Sequence, residues 1–173
     1  MKTQRHSIDT WTAAGLAALI TKGPDALRAE PLARAIGTTK GSFYWHFTDV
    51  PAFHRAVLAR WQSDAFADVV DQLSATGSAD ARLRDFAAQI MQSKADPAIR
   101  AWAQSNANAA KAVAQVDEQR LAHIARLLGQ LGLKNPAFAL SCYATLIGAA
   151  NITSDTTPQM AFDALIDLVL ALQ

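Results

Sequence analysis

A short segment near the start of the chain places hydroxyl, cationic and aromatic side chains on one face of a predicted helix. A short apolar helix comes first, and after a turn Thr38 or Thr39 can cap a second helix. Phe43 and Phe47, four residues apart, predict the buried face of this second helix. The opposite face offers donors for phosphates and a glycine that permits close approach to base edges. We therefore predict a helix-turn-helix with a recognition helix from about Thr39 to His46.

The outward face of this recognition helix is the candidate DNA-binding site. An ordinary helical hairpin inside a bundle would not need two exposed aromatic side chains beside a glycine. The predicted DNA-binding residues are Thr38, Thr39, Lys40, Gly41, Ser42, Tyr44, Trp45 and His46.

Basic residues are concentrated at the same end of the chain. Residues 1–60 contain eight Lys or Arg against four Asp or Glu, a net charge of +4, and residues 61–173 contain eight against eleven, a net charge of −3. A basic end on an acidic body is typical of a protein that contacts DNA with one end. The asymmetry supports the helix-turn-helix but would not identify it alone.

The composition and the apolar periodicity predict an all-α fold. Apolar residues make up 51% of the chain, and only eight Gly and six Pro are present. The spacing predicts nine helices: about 7–22, the two of the motif, 50–74, 79–94, 96–106, 109–131, 136–152 and 157–173. We predict a three-helix DNA-binding head with the helix-turn-helix over residues 1–48 and a six-helix ligand-binding and dimerisation bundle over residues 49–173.

A charge-free stretch between Lys134 and Asp155 is long enough to be compared with a membrane span. It starts near Pro136 and contains several polar side chains, so a helix buried between protein surfaces fits it better. The N-terminal apolar run is short and lacks a convincing signal-peptide cleavage site. We therefore expect a cytoplasmic protein without a membrane partner.

The last two predicted helices are candidates for a homodimer interface. Apolar residues occupy most of the circumference of the final helix, and the eighth helix has no charged residue. The pair can form a four-helix bundle with the same pair of a second copy, and the alternative is that it completes the core of a monomer. The predicted interface residues are Tyr143, Ile147, Leu165, Leu168, Val169 and Leu172.

Several residues of the predicted bundle have the side-chain types of a ligand pocket, which needs an apolar wall with a few polar anchors. The alternative is that they are packed core residues, or a surface polar group in the case of Asn106. The candidates are Trp61, Met91, Trp102, Asn106, His123 and Tyr143.

The sequence predicts no cofactor, no metal site and no catalytic residue. The four histidines are too scattered for a recognisable metal-binding spacing, and we interpret the single Cys142 as a small buried hydrophobic residue. No Gly-rich phosphate loop, His-Glu metal motif or nucleophile elbow is present in the sequence. The alternative to a DNA-binding regulator is a helical interaction or adaptor protein without DNA binding, which would leave the recognition helix and the charge asymmetry unexplained.

The segment GTTKGSFYWHF at residues 37–47, preceded by LARAI at residues 32–36, resembles the DNA-binding head of TetR-family (TetR/AcrR-type) transcriptional regulators. The resemblance covers about residues 8–60 and continues beyond them as a shared helical architecture. It implies a ligand-responsive regulator, most often a repressor, that binds a palindromic operator in double-stranded DNA as a homodimer. It also implies release from DNA by a small-molecule effector.

The resemblance further implies roles for residues of the recognition helix. Tyr44 and His46 match positions that reach phosphates, whereas Lys40 and Gly41 match positions near base edges. Trp45 matches a position that can pack against a sugar or a thymine methyl group.

The start of the fourth predicted helix departs from the family pattern. Many members carry a basic residue there, and this chain has Val50 instead. The N-terminus of that helix can still face a phosphate, because its free N–H groups and its dipole attract anions.

Overall fold

The computed structural model describes residues 7–152 and 155–171. These residues contain nine α-helices and no strand, so the predicted all-α, nine-helix fold is confirmed. A short 3₁₀ turn at Pro24–Ala26 was not predicted. No helix among the described residues is both long and apolar enough to cross a membrane. The helices are α1 (Ile8–Lys22), α2 (Ala29–Ala35), α3 (Lys40–His46), α4 (Val50–Ser74), α5 (Ala79–Gln92), α6 (Ala95–Ala103), α7 (Ala107–Gln130), α8 (Pro136–Ala149) and α9 (Pro158–Ala171).

The chain forms two compact units, and neither is a continuous stretch of sequence. The first unit takes the chain up to Asp64 together with Lys94–Ala114, and the second takes Ala65–Ser93 together with the chain from Gln115 onward. The first unit thus holds α1, α2, α3 and α6, the second holds α5, α8 and α9, and α4 and α7 contribute residues to both. The predicted functional boundary between residues 48 and 49 stays a prediction.

An aromatic cluster from three helices forms the core of the first unit. Phe43 on α3 is fully buried, and its ring centroid lies 5.3 Å from those of Trp11 on α1 and Phe53 on α4. Phe47 lies 5.1 Å from Phe43 and 5.0 Å from Phe53. Aromatic pairs at such separations stabilise by about 0.5–1.5 kcal/mol beyond the area that they bury. The predicted inner face of α3 is confirmed.

Helices α1 and α4 approach each other closely at Gly15. A Cβ atom at this position would lie 2.7 Å from Phe53 Cζ and 2.8 Å from Val57 Cγ2. Both neighbours are fully buried, so neither can move aside without disturbing its own packing. The missing side chain at Gly15 therefore allows α4 to hold Phe53 against the aromatic cluster.

Helix α6 packs against α1 within the first unit, and a histidine links it to the chain before α2. His54 Nε2 lies 3.0 Å from the carbonyl oxygen of Leu27, and because a carbonyl only accepts, the ring nitrogen donates. The same ring meets that of Trp102 edge to face, with centroids 5.1 Å apart. These contacts explain why residues 94–114 fold with the N-terminal helices rather than with the second unit.

The second unit has an apolar core built from α5, α7, α8 and α9. An ionic cluster also links two of these helices, because Arg84 on α5 binds two carboxylates of α9. Its Nη1 lies 3.0 Å from Asp163 Oδ1 and its Nη2 lies 2.6 Å from Asp167 Oδ1. Residues four apart lie on one face of a helix, so a planar guanidinium that contacts both sets the position of α9 along α5. The central core residues are Phe86, Ile124, Leu127, Phe162 and Ile166.

Some helix ends differ from the predicted ones by a few residues, and side-chain hydrogen bonds account for two of the differences. Asn106 Oδ1 accepts from the N–H of Ala109 at 3.0 Å, so α7 begins at Ala107 and α6 ends well before Asn106. Helix α8 ends at Ala149 rather than near residue 152, and Asn151 Nδ2 donates to the carbonyl of Ile147 in its last turn. Local caps of this kind override a continuing apolar pattern.

We expect Gly15→Ala to lower the free energy of unfolding by about 1–3 kcal/mol, because the added methyl group overpacks the contact with Phe53 and Val57. Gly129→Ala in α7 is the matched control, since a Cβ there meets no atom within 4 Å. It should leave stability unchanged or raise it by up to about 1 kcal/mol through helix propensity. Chemical denaturation measures the free energy of unfolding of both variants. Equal values would contradict the close approach of α1 and α4 at Gly15.

Candidate nucleic-acid interface

The turn between α2 and α3 depends on a glycine and a threonine cap. Gly37 has a φ of +70°, a left-handed conformation that glycine adopts without steric cost. The N–H of Thr38 then donates to the carbonyl of Ala33 at 2.8 Å and closes the end of α2. Of the two threonines predicted as caps, Thr39 has this role, because its Oγ1 accepts from the N–H of Ser42 at 3.3 Å.

The face of α3 opposite the aromatic cluster presents large side chains to solvent. Trp45 is 87% exposed and Tyr44 is 48% exposed. An exposed indole gains nothing from the fold of its own chain, and exposed apolar surface of this kind marks interaction sites. Of the remaining predicted DNA-binding residues on α3 and its cap, Thr39, Lys40 and Gly41 are exposed, and Ser42 and His46 are half-buried.

Thr38 differs from the other predicted DNA-binding residues. Its side chain is half-buried, and its Oγ1 is enclosed without a hydrogen-bond partner among the described residues. A hydroxyl that is enclosed in this way is not exposed on the face that DNA would contact. The position of Thr38 therefore supports the turn and gives no support to the predicted contact of its side chain with DNA.

The glycine at position 41 has no role in packing within the chain. A Cβ atom there would meet only Thr39 Oγ1, at an ordinary contact distance of 3.6 Å. Glycine inside a helix costs about 1 kcal/mol relative to alanine, so the folded chain alone would be more stable with alanine. A molecule that approaches the α3 backbone from outside would explain the glycine.

A shallow depression adjoins this face and adds two cations that the sequence analysis missed. Its volume is about 460 Å³, and three of its side chains are basic against one acidic. Arg28 lies at the start of α2 and Arg34 in its last turn, and both line the depression together with Lys40 on α3. The sequence contains these arginines, but only the turn between the two helices places them beside Lys40. The lining residues are Arg28, Ala29, Glu30, Pro31, Arg34, Lys40, Tyr44 and Val50.

Both arginines of the depression are only weakly engaged by acids of their own chain. Arg28 Nη2 lies 3.8 Å from Asp25 Oδ1, and Arg34 Nη2 lies 3.2 Å from Glu30 Oε1. All four side chains are largely exposed to solvent. Exposed pairs of this kind contribute about 0–1 kcal/mol, so either guanidinium can turn towards a phosphate at low cost.

The start of α4 is occupied by a carboxylate rather than free. Asp49 Oδ1 accepts from the N–H of Ala52 at 2.6 Å. Its negative charge stabilises the helix end but repels a phosphate at the same place. This cap argues against the phosphate contact that we expected from the N-terminus of α4.

The predicted ligand-binding residues divide between the two units. Asn106 caps α7 through its carbonyl oxygen, so this group has a structural role. Trp102 packs on His54, and Tyr143 donates a hydrogen bond to Asp117 Oδ1 at 2.6 Å. The first unit contains Trp61, Trp102 and Asn106, and the second contains Met91, His123 and Tyr143.

His123 is the predicted ligand residue with the least ordinary environment. It is only 3% exposed, and its ring meets that of Phe86 with centroids 4.6 Å apart. Burial, together with the positive charges of Arg126 and Arg82, lowers the pKa of His123 to about 4. The imidazole is therefore neutral near pH 7.

The predicted dimer-interface residues differ in how much surface they present. Leu168 is 54% exposed, and Ile147 and Leu165 are partly buried. Tyr143 and Val169 are at most 5% exposed within their own unit, so they have little surface left for a second copy. The apolar pattern marked both correctly as buried but could not show that the burial is internal. Leu172 lies outside the described residues. The predicted list omitted three exposed apolar residues of the same helices, Leu140, Met160 and Leu170.

Among the described residues, no group of three or more His, Cys, Asp or Glu side chains is arranged to hold a metal ion. Cys142 is fully buried within the second unit, as the sequence predicts. Burial raises the pKa of its thiol to about 11.

The exposed face of α3, the capped turn before it and the adjoining basic depression together define a helix-turn-helix DNA-binding protein. Residues 12–49 match the family model described as bacterial regulatory proteins, tetR family. Residues 12–49 therefore match the DNA-binding segment of that family, and the chain is similar to TetR-family transcriptional regulators.

Solved structures share the fold over nearly the whole chain. A TetR transcriptional regulator from Legionella pneumophila is 18% identical with a TM-score of 0.80, covering 97% of this chain and 98% of that one. A TetR-family regulator from Streptomyces coelicolor is 17% identical with a TM-score of 0.76, covering 94% and 93%. A protein from Saccharomonospora viridis, assigned as a transcriptional regulator and solved in complex with choline, is 13% identical with a TM-score of 0.78, covering 94% and 95%. No curated protein matches the chain.

We expect Cys142 to be unreactive in the folded protein. A thiol with a pKa of about 11 is ionised in only about one molecule in a thousand at pH 8, and burial also blocks the reagent. A thiol-specific chromogenic disulfide should label the denatured chain fully and the native chain hardly at all, with labelling rising as the pH approaches 11. Rapid labelling of the native protein at pH 8 would contradict both the burial and the raised pKa.

Proposed function

We propose that this protein is a ligand-responsive repressor that binds a palindromic operator as a homodimer in the cytoplasm and is released by a small effector, without a catalytic step. The observation that carries the proposal is the outward face of α3. A helix whose inner side is held by Phe43 presents an indole that is 87% exposed, beside a glycine that the fold does not require.

Individual residues of this face suit different parts of a duplex. Lys40 and Gly41 would lie near base edges, because a long cation and a bare backbone can enter the major groove. Tyr44 and His46 would donate to phosphates, and Trp45 would pack against a sugar or a thymine methyl group.

Two further phosphate contacts come from the basic depression. Arg28 and Arg34 lie beside Lys40, and their partners in the chain are weak. We propose that they replace the basic side chain that Val50 does not supply at the start of α4. Guanidinium groups bind phosphate oxygens through two parallel hydrogen bonds, which makes them suitable for this role.

The DNA-binding proposal is tested by selecting bound sequences from a random duplex pool and titrating the enriched duplex at fixed salt. We expect a palindromic sequence to be enriched and the affinity to fall steeply between 50 and 200 mM salt. Lys40→Ala and Tyr44→Ala should each weaken binding by roughly 1–3 kcal/mol. Gly41→Ala should also weaken it while leaving thermal stability unchanged or higher, because only an external partner needs the space.

Lys134→Ala removes an exposed lysine far along the sequence from α3 and is the control for loss of one positive charge. It should bind the duplex like the unaltered protein. Absence of any duplex binding would favour the adaptor alternative, and unchanged affinity of all three α3 variants would place the DNA contact elsewhere.

A homodimer is supported by apolar surface on α8 and α9 that the single chain leaves open. Leu140 is 56% exposed, Met160 57% and Leu168 54%. Met160 and Leu168 are eight residues apart, which places them on one side of α9, two turns from each other. Joined to the same pair of helices from a second copy, they would enter a four-helix bundle around a two-fold axis.

We expect the unaltered protein to have the mass of a dimer in light scattering at micromolar concentration and Leu168→Glu to shift it towards the monomer. A carboxylate inside an apolar interface loses its hydration without gaining a partner. Leu73→Glu is the matched control, because Leu73 is 52% exposed but lies on α4. A monomeric unaltered protein, or equal effects of the two variants, would refute the proposed interface.

Release by an effector is supported by the choline-bound relative, in which the same fold accommodates a small molecule. The proposal for this chain is a small-molecule site within the second unit, lined by some of the predicted residues Met91, His123 and Tyr143. Binding would release DNA if the ligand favours a conformation that the operator disfavours, and a typical coupling is about 1–3 kcal/mol.

A further inference from the structure

The tautomer of His123 follows from its neighbour on the next turn of α7. Arg126 Nη2 lies 3.0 Å from His123 Nδ1, and a guanidinium can only donate, so Nδ1 accepts. In the neutral ring the proton is then on Nε2. This N–H is buried and has no hydrogen-bond partner among the described residues. A buried donor without an acceptor costs about 1–3 kcal/mol.

A second unsatisfied donor comes from α5, on the side that faces His123. Phe86 packs on the imidazole, and Arg82 precedes Phe86 by four residues, which places both on one face of α5. Arg82 Nη2 donates to the carbonyl of Gln72 at 2.6 Å, but its Nε is buried without a partner. Two buried N–H groups of the second unit, one on α5 and one on α7, therefore lack acceptors among the described residues.

The surroundings of His123 are electropositive. Burial is the main reason for the lowered pKa of His123, and the positive charges of Arg126 and Arg82 lower it further. Arg84, two residues further along α5, has carboxylates within 3.0 Å. Neither Arg82 nor Arg126 has a carboxylate within ion-pair distance among the described residues. An anion would neutralise this charge and at the same time accept from the two free donors.

We propose that the second unit binds a small organic carboxylate, with its oxygens accepting from His123 Nε2 and Arg82 Nε. This inference rests on the proposed effector function and names the chemical class of the effector. A cation would be repelled by the two arginines, and a neutral amide would satisfy the donors without neutralising the charge.

The test uses the full-length protein without DNA and a panel of acetate, hexanoate, benzoate and phenylacetate. Each acid is titrated while thermal unfolding and the ¹H–¹⁵N signals of the histidine side chains are recorded. We expect at least one acid to raise the unfolding temperature and to shift the Nε2 signal of His123, in the Nε2-protonated tautomer. Benzamide and benzylamine, the neutral and cationic counterparts, should bind more weakly than benzoate or not at all.

Variants distinguish a His123 that donates a hydrogen bond to the bound acid from a His123 that only packs in the core. His123→Leu keeps an apolar side chain and removes the donor, so the affinity for the bound acid should fall roughly 10- to 100-fold. His123→Gln keeps an N–H donor and should recover part of that loss. Arg82→Met should weaken binding as well, whereas Arg55→Met, which removes an exposed arginine of the first unit, should not.

Each result supports or overturns the proposal. If no acid of the panel shifts the His123 signal or the unfolding temperature, the two donors are satisfied by water and the proposal is wrong. Equal binding by unaltered protein and His123→Leu would overturn it as well. Duplex binding is measured separately, so a protein that binds DNA but no acid refutes this inference alone. A protein that binds an acid but no DNA refutes the proposed repressor and leaves the carboxylate site intact.

Discussion

The burial of Phe43 is the constraint on which the recognition surface depends. Its ring is enclosed by Trp11 on α1, Phe53 on α4 and Phe47, the residue that follows α3. A helix of seven residues is too short to be stable by itself, so α3 exists because this contact holds it. Once one residue of so short a helix is fully buried, the helical period determines which side chains face outward. The exposure of Trp45 is thus a consequence of the position of Phe43.

Periodicity in the sequence was sufficient for the helices and for the inner face of α3, because both are local properties. Periodicity could not predict which side chains from separate segments of the chain lie next to each other. Arg28 and Arg34 join Lys40 only through the geometry of the turn at Gly37, which no spacing rule describes. The interface role of Tyr143 and Val169 stays a prediction, because an apolar pattern indicates burial but not which chain covers the residue, and both are at most 5% exposed within their own unit.

Two glycines show how structure separates folding constraints from functional ones. Gly15 is required by packing, since a methyl group there would collide with buried side chains. Gly41 has free space around it and weakens its helix for no benefit to the folded chain. In the sequence the two look alike, as single glycines in helical segments. Packing within the chain therefore accounts for Gly15 but not for Gly41.

The charged groups of the second unit also differ in whether the chain itself supplies their partners. Arg84 has two carboxylates and needs nothing from outside, so its role in positioning α9 is complete within the chain. Arg82 and His123 have unsatisfied donors although they are enclosed. Folding energy does not favour such groups, because replacing them with apolar side chains would remove the desolvation cost. The carboxylate that we propose would accept from both donors.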